Sequence, residues 1–243
     1  MNNQTTIEKL KQMRLSGMAE MHYTNTLSNI NQQYTIDQYV AMLVDQEWEN
    51  RHNRKIKNLI RIARFRYPAT IRDIDYSANR QLDKNTFERL ALLDFVRSHE
   101  NVIITGATGT GKSYLAQALG HQGCMMLMKT LYYNTTRLME HLKLSRLEGN
   151  YSKSLTVIEK ADLLILDDFG LAAFDNQARQ ALMDIIESKY DRTSIIISSQ
   201  IPVSGWHEMI GEGTIADAIL DRIVHSSHRI QLKGESLRKN KLK

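Results

Sequence analysis

Apolar residues recur along this chain in two rhythms, and one gives way to the other near residue 68. Before it they fall at helical spacing: Ile7 and Leu10, Met18 and Met21, then Tyr39, Val40, Leu43, Val44 and Trp48, and last Ile56, Leu59, Ile60 and Ala63. No strand signal interrupts them, so residues 1–67 predict a small all-helical domain. Thr35 with Gln38 three residues on forms a capping box that starts its second helix. A further basic helix ends at Tyr67-Pro68, because the residue before proline is pushed out of the helical region.

Residues 68–243 read differently. Ile71 to about Asn85 is polar and irregular, and Phe87, Leu90, Ala91 and Phe95 predict a helix. Short continuous apolar runs then alternate with helical patterns: strands at 102–105, 130–133, 163–167 and 194–198, and helices at 112–127, 135–148 and 176–190. Such alternation predicts a doubly wound parallel sheet with helices on both faces, and its ligands at the carboxyl ends of the strands. The 243 residues suffice for one such α/β core and a smaller appendage.

The strand at 102–105 runs into Gly106-Ala107-Thr108-Gly109-Thr110-Gly111-Lys112-Ser113, the spacing of a phosphate-binding loop, and a helical pattern through Tyr114 follows. Glycines let the backbone curl so that its N–H groups converge on a polyphosphate, and the helix adds its positive end. Lys112 is then expected to reach the β and γ phosphates, and the Ser113 hydroxyl to ligate Mg²⁺. About fifty residues later the run Leu163-Leu164-Ile165-Leu166 ends in Asp167-Asp168, the form of a Walker B strand. Asp167 is the expected metal carboxylate and Asp168 the group that polarises the attacking water. The alternative is a turn signal, since Phe169-Gly170 follows. A third strand ends in Ser198-Ser199-Gln200, where Gln200, or Ser199 before it, can hold the water or touch the γ phosphate; a strand that merely enters a polar loop is the bland reading.

Three arginines, Arg222, Arg229 and Arg238, mark the C-terminal segment. Arg222 lies on an amphipathic pattern with Ile215, Ala218, Ile219 and Ile223, placed to project into a neighbouring subunit's site or to pair with Asp217 or Asp221.

Charge adds a second candidate surface. Arg51, Arg54, Lys55, Lys57, Arg61, Arg64 and Arg66 follow one another with no acidic residue between them. They form either a solvated helix face or a phosphate-binding one for DNA. Cys124 is the chain's one cysteine, so no internal disulfide forms, and it reads as a small buried residue, as Met125, Met126 and Met128 read as core filler. The histidines share no metal-ligand spacing. No run approaches the roughly 20 apolar residues of a membrane span and no signal-peptide pattern opens the chain, so the cytoplasm is the expected compartment.

Taken in order, these motifs resemble the AAA+ ATPases of the IstB type, the transposition helpers encoded beside the transposase in certain bacterial insertion sequences. The likeness extends to Pro202 and Trp206, to the stretch from Ala216 to Arg238, and to Met13-Arg14-Leu15, Gly17-Met18-Ala19 and Ala63-Arg64-Phe65. The helicase loaders of the DnaC type share the ATPase part and are the alternative reading. The resemblance implies that Arg222 is the arginine finger and Arg238 the sensor II arginine. Gln200 stands where many relatives carry Asn in sensor I, and Asp168 where AAA+ proteins often carry Glu. It also implies an ATP-dependent ring or helical homo-oligomer on duplex DNA, with little sequence preference, that recruits a transposase.

Overall fold

The computed structural model describes residues 3–28 and 34–237. The chain divides into two compact units, Met1–Asn58 and Leu59–Lys243. Among the described residues up to 63, the helices are α1 (Asn3–Gln12), α2 (Ser16–Leu27) and α3 (Ile36–Ala63). The capping box forms as drawn: Thr35 N–H donates to Gln38 Oε1 at 3.0 Å and Gln38 N–H to Thr35 Oγ1 at 3.3 Å. It opens the third helix rather than the second, and the basic segment is the continuation of that same helix. Arg64, at φ 57°, ends it before Tyr67-Pro68 is reached. At about 100° per residue, Ile56, Leu59, Ile60 and Ala63 share one face of α3, and Arg51, Arg54, Lys55, Lys57 and Arg61 occupy the opposite arc. Burial follows: Ile56 and Ala63 are enclosed, while the five basic residues and Arg64 are exposed.

In the second unit, α4 (Lys84–Ala91) and α5 (Asp94–Arg97) lead into β1 (Asn101–Gly106). Then follow α6 (Lys112–Met125), β2 (Thr130–Asn134), α7 (Thr135–Leu147), α8 (Tyr151–Glu159) and β3 (Leu163–Phe169). The chain continues through α9 (Asn176–Lys189), β4 (Ser194–Ser199), α10 (Trp206–Ile210), α11 (Gly213–Val224) and β5 (Ser227–Leu232). All strand pairs are parallel, in the order β2-β3-β4-β1-β5.

The unbroken apolar runs are explained by burial on both faces. Leu164, Leu166, Ile195, Ile197 and Ile103 enter one core with Leu138, Leu142, Leu182, Ile185, Trp206 and Ile219. Leu163, Ile165, Ile196, Val102 and Ile104 enter the other with Phe87, Leu90, Leu115 and Leu119. Each such side chain contributes about 1.5–3 kcal/mol of transfer free energy, so the strand order is held by both layers.

Other features depart from the sequence reading, among them α10 and the break at Leu93 (φ 61°) that splits the helix expected from Phe87 to Phe95 into α4 and α5. Helix α8 and strand β5 were not expected. In β5 only Ile230 and Leu232 are buried, because it is an edge strand. Met125 and Met126 are 45% and 37% exposed, since the last turn of α6 has run past the sheet; Met128 does pack on the core and Cys124 is buried. Among the described residues no helix is long and apolar enough to cross a membrane.

Candidate active site

Parallel strands deliver their carboxyl ends to one side of the sheet, and there the phosphate-loop spacing, the paired aspartates and Gln200 come together. The loop from Gly106 to Gly111 is drawn tight by Thr110, whose Oγ1 donates to the Ala107 carbonyl at 2.9 Å. Gly109 (φ 83°) and Gly111 (φ 95°) both lie in the left-handed region, and no side chain fits there. A Cβ on Gly109 would come within 2.7 Å of the Ser236 Cβ, and one on Gly111 within 2.5 Å of Arg80 Nη1. Gly111 caps the N-terminus of α6, so the first amides of a 14-residue helix face the curl.

Lys112 is buried and its Nζ donates across the loop to the Ala107 carbonyl at 2.8 Å. Ser113 Oγ donates to Asp167 Oδ1 at 2.8 Å, which joins the first turn of α6 to the end of β3. The Tyr114 side chain instead packs against the core, so only its backbone is placed toward the loop.

Asp167 is fully enclosed. Besides Ser113 it accepts from Tyr132 Oη at 2.7 Å on Oδ2 and from the Ser198 hydroxyl on Oδ1. Its backbone carbonyl accepts from Thr135 Oγ1 at 2.9 Å. Burial, then the adjacent Asp167 charge, drives the Tyr132 phenol far above its ordinary value, so it remains a donor. Hydroxyl and carboxylate oxygens of this kind are hard donors that suit Mg²⁺, which takes its remaining ligands from water and phosphate.

Asp168 sits where the β3–β4 register shifts, with φ 55°. This bulge turns its carboxylate out of the strand, at a backbone cost of about 1–3 kcal/mol. Asn134 Nδ2 donates to Asp168 Oδ2 at 3.0 Å, while Asn134 Oδ1 caps α7 by accepting from Arg137 N–H at 3.2 Å. Burial, and secondly the Asp167 charge, raises the Asp168 carboxyl above the usual range, with the Asn134 bond, Arg66 and Lys112 opposing. A carboxylate so raised is a better proton acceptor.

Gln200 is exposed, and its Oε1 accepts from Thr108 Oγ1 at 2.6 Å, which places it against the loop. Ser199 does not share that position: it is buried with its hydroxyl on the Phe169 carbonyl at 2.7 Å. Sequence reasoning missed Tyr132, Asn134, Ser198 and Arg80. The first three end or precede the ends of strands β2 and β4, the one signal by which they were findable.

Arg222 lies elsewhere. Its carbonyl, with that of Ile223, accepts from Asn101 at the amino end of β1, whereas the loop leaves the carboxyl end about 17 Å along the strand. The guanidinium pairs with Glu187 at 3.0 Å and lies 5.6 Å from the Tyr190 ring centroid, rather than pairing with Asp217 or Asp221. Arg229 is exposed on β5, and Arg238 lies outside the described residues. On α3, Arg51 pairs with Glu47 at 2.6 Å and Arg54 donates to Ser16 Oγ. Among the described residues no group of three or more His, Cys, Asp or Glu is placed to hold a metal ion.

Comparison with known proteins matches residues 8–243 to the model of the IstB-like ATP binding protein. The chain is 44% identical over 236 residues to an insertion-sequence ATP-binding protein of Sinorhizobium fredii, covering 97% of this chain and 96% of that one. Its fold is similar to that of DnaI (TM-score 0.57, 21% identity, 68% of this chain and 91% of the other). It is also similar to the DnaC helicase loader (TM-score 0.50, 21% identity, 63% and 93%).

Proposed function

The chain belongs to the IstB-like ATP-binding protein family, and on that premise we propose that it hydrolyses ATP while assembling on duplex DNA, where it recruits or stimulates a partner transposase. The observation that carries the ATPase reading is the link from Ser113 Oγ to Asp167 Oδ1, 2.8 Å long, beside a buried lysine in a glycine-lined curl. A turn signal would not tie the first aspartate to the helix that follows the loop.

In this reading the amides of Gly109 to Ser113 and the Lys112 ammonium bind the polyphosphate. Ser113 and Asp167 would hold Mg²⁺, which would supply positive charge to offset that of the phosphates. Asp168 orients a water on the γ-phosphorus and takes its proton as the new P–O bond forms and the bond to the bridging oxygen breaks, leaving ADP and phosphate. Gln200, through Thr108, reports the state of the loop. Arg222 is too far from its own loop to act there, so it completes the site of an adjoining copy, exchanging Glu187 for phosphate charge. Arg238 contacts the nucleotide from the same chain.

The amino-terminal 67 residues are the side that binds DNA, the transposase, or both. Arg51, Arg54, Lys55, Lys57, Arg61 and Arg64 meet duplex phosphates, which gives binding with little sequence preference. Six contacts imply a log–log salt slope of about −5.

The test is ATP-dependent assembly on DNA by Arg222→Ala, alone and mixed with Lys112→Ala. Each variant alone is expected to be inactive and the mixture to recover activity, because an interface between the two offers one intact site. Equal inactivity of the mixture, or full activity of Arg222→Ala, overturns the shared site. A pull-down with a replicative helicase rather than a transposase would move the assignment to a DnaC-like loader.

A further inference from the structure

Arg80 lies in the irregular stretch before α4, yet it is only 3% exposed. Its Nη1 donates to the Thr110 carbonyl at 3.3 Å and its Nη2 to the Asp75 carbonyl at 2.8 Å, while Nε has no partner. Asp75 gives Arg80 that carbonyl as its one hydrogen bond, while the Asp75 carboxylate acts on the guanidinium only at longer range and offsets part of the cost of burial. Its carboxylate accepts from Ser77 N–H at 2.8 Å and Ser77 Oγ at 2.6 Å. Among the described residues no carboxylate lies within 4.0 Å of the guanidinium. A buried guanidinium without a contacting carboxylate is unfavourable, and arginine does not escape by losing its proton.

The surroundings fix this charge against the loop. The Arg80 carbonyl accepts from Lys233 N–H at 3.0 Å, and Leu237 N–H donates to the Gly109 carbonyl at 2.9 Å. Residues 79–80 and 233–237 thus wall the outer side of the curl, with Gly111 leaving just enough room for Nη1. The Gly109 and Thr110 carbonyls point to this wall, and because a trans peptide directs its N–H opposite to its carbonyl, the N–H groups of the same peptides point away from it, that of Thr110 toward the Ala107 carbonyl at 3.4 Å.

We propose that Arg80 is a second fixed cation of the nucleotide site, and that the polyphosphate of a bound nucleoside triphosphate adds the counter-charge that the more distant Asp75 carboxylate supplies only in part. The inference rests on the ATP-binding reading. Arg80 does two things there: it polarises the Thr110 peptide, strengthening the inward donors, and it favours ligands in proportion to their phosphate charge. It is a positioning and specificity residue, since it acts through the loop backbone.

The experiment is equilibrium binding of ATP, ADP and AMP to the full chain, by calorimetry, for the parent, Arg80→Met, Arg80→Gln and Arg80→Lys, with Lys112→Ala alongside. Loss of a charge-assisted contact predicts ATP affinity lower by about tenfold to a hundredfold in the Met and Gln variants. ADP should lose less and AMP least, and Arg80→Lys should keep the parent's preference for ATP over AMP. The Gln variant retains a donor for the Thr110 carbonyl, so it separates charge from bracing and also decides the matter if the Met variant does not fold. Equal losses for all three ligands, or no loss, overturn the proposal and leave Arg80 as a brace. Failure of the parent itself to bind ATP, with Lys112→Ala indistinguishable from it, would count against the ATP-binding reading instead.

Discussion

Asn134 performs two tasks with one amide, and they can be separated by substitution. Its Oδ1 caps α7 and its Nδ2 donates to Asp168. Asn134→Ala loses both: a cap is worth about 1 kcal/mol and a donor to a charged acceptor about 1.5 kcal/mol. Urea unfolding should therefore show a loss of about 2–3 kcal/mol. Asn134→Asp keeps the cap, because aspartate caps as well as asparagine, but replaces the donor with a like charge about 3.0 Å from Asp168. Coulomb's law gives such a pair roughly 1 kcal/mol in water and about 5 kcal/mol at an effective dielectric of 20, and a half-buried carboxylate lies between. Ionised Asp168 becomes harder to form. Since the proposed catalytic form is the ionised one, the acid limb of the ATPase pH profile should move to higher pH, and turnover below the shifted limb should fall by up to about tenfold for each 1.4 kcal/mol. Stability and rate thus separate: Asn134→Ala falls chiefly in stability, Asn134→Asp chiefly in rate at low pH. An Asn134→Asp profile that overlays the parent's would refute both the contact and the role given to Asp168.

Lys189 is buried and donates to the carbonyls of Glu159 and Ala161; burial pulls its ammonium down to about 8. The folded state penalises the charged form, so the full penalty applies below pH 8 and is relieved as pH rises toward the unfolded value near 10.4. Stability measured from pH 7.5 to pH 10 should rise with this contribution, and Lys189→Met should reduce that rise by about 2 kcal/mol; an unchanged slope would contradict it. Gly109→Ala must adopt φ 83° with its Cβ against Ser236, so nucleotide binding should be lost even where the fold survives, as calorimetry beside a thermal melt would establish.

Much of the second unit was legible because two-sided burial writes itself as uninterrupted apolar runs. Leu163 to Leu166 and Ile195 to Ile197 need no context to be read as strands, and the glycine spacing before Lys112 marks the loop. What escaped notice had no local signature. Edge strand β5 buries only two side chains, and α8 buries only Ile158 outright, so neither gives a strong period. Tyr132 and Ser198 reach Asp167 only because β2 and β4 flank β3 in space, an order that sequence does not state. Arg80 was hidden most completely, since a buried charge in an irregular polar stretch looks like any surface arginine. The capping box, in contrast, was read correctly as chemistry and misassigned only in helix number.

The most direct test of the central claim is steady-state ATP hydrolysis with long duplex DNA, single-stranded DNA or none, with Lys112→Ala as the control. The account predicts turnover that depends on Lys112 and is raised by duplex more than by single strands. Turnover raised only by single strands, or no turnover above the Lys112→Ala level, would contradict it.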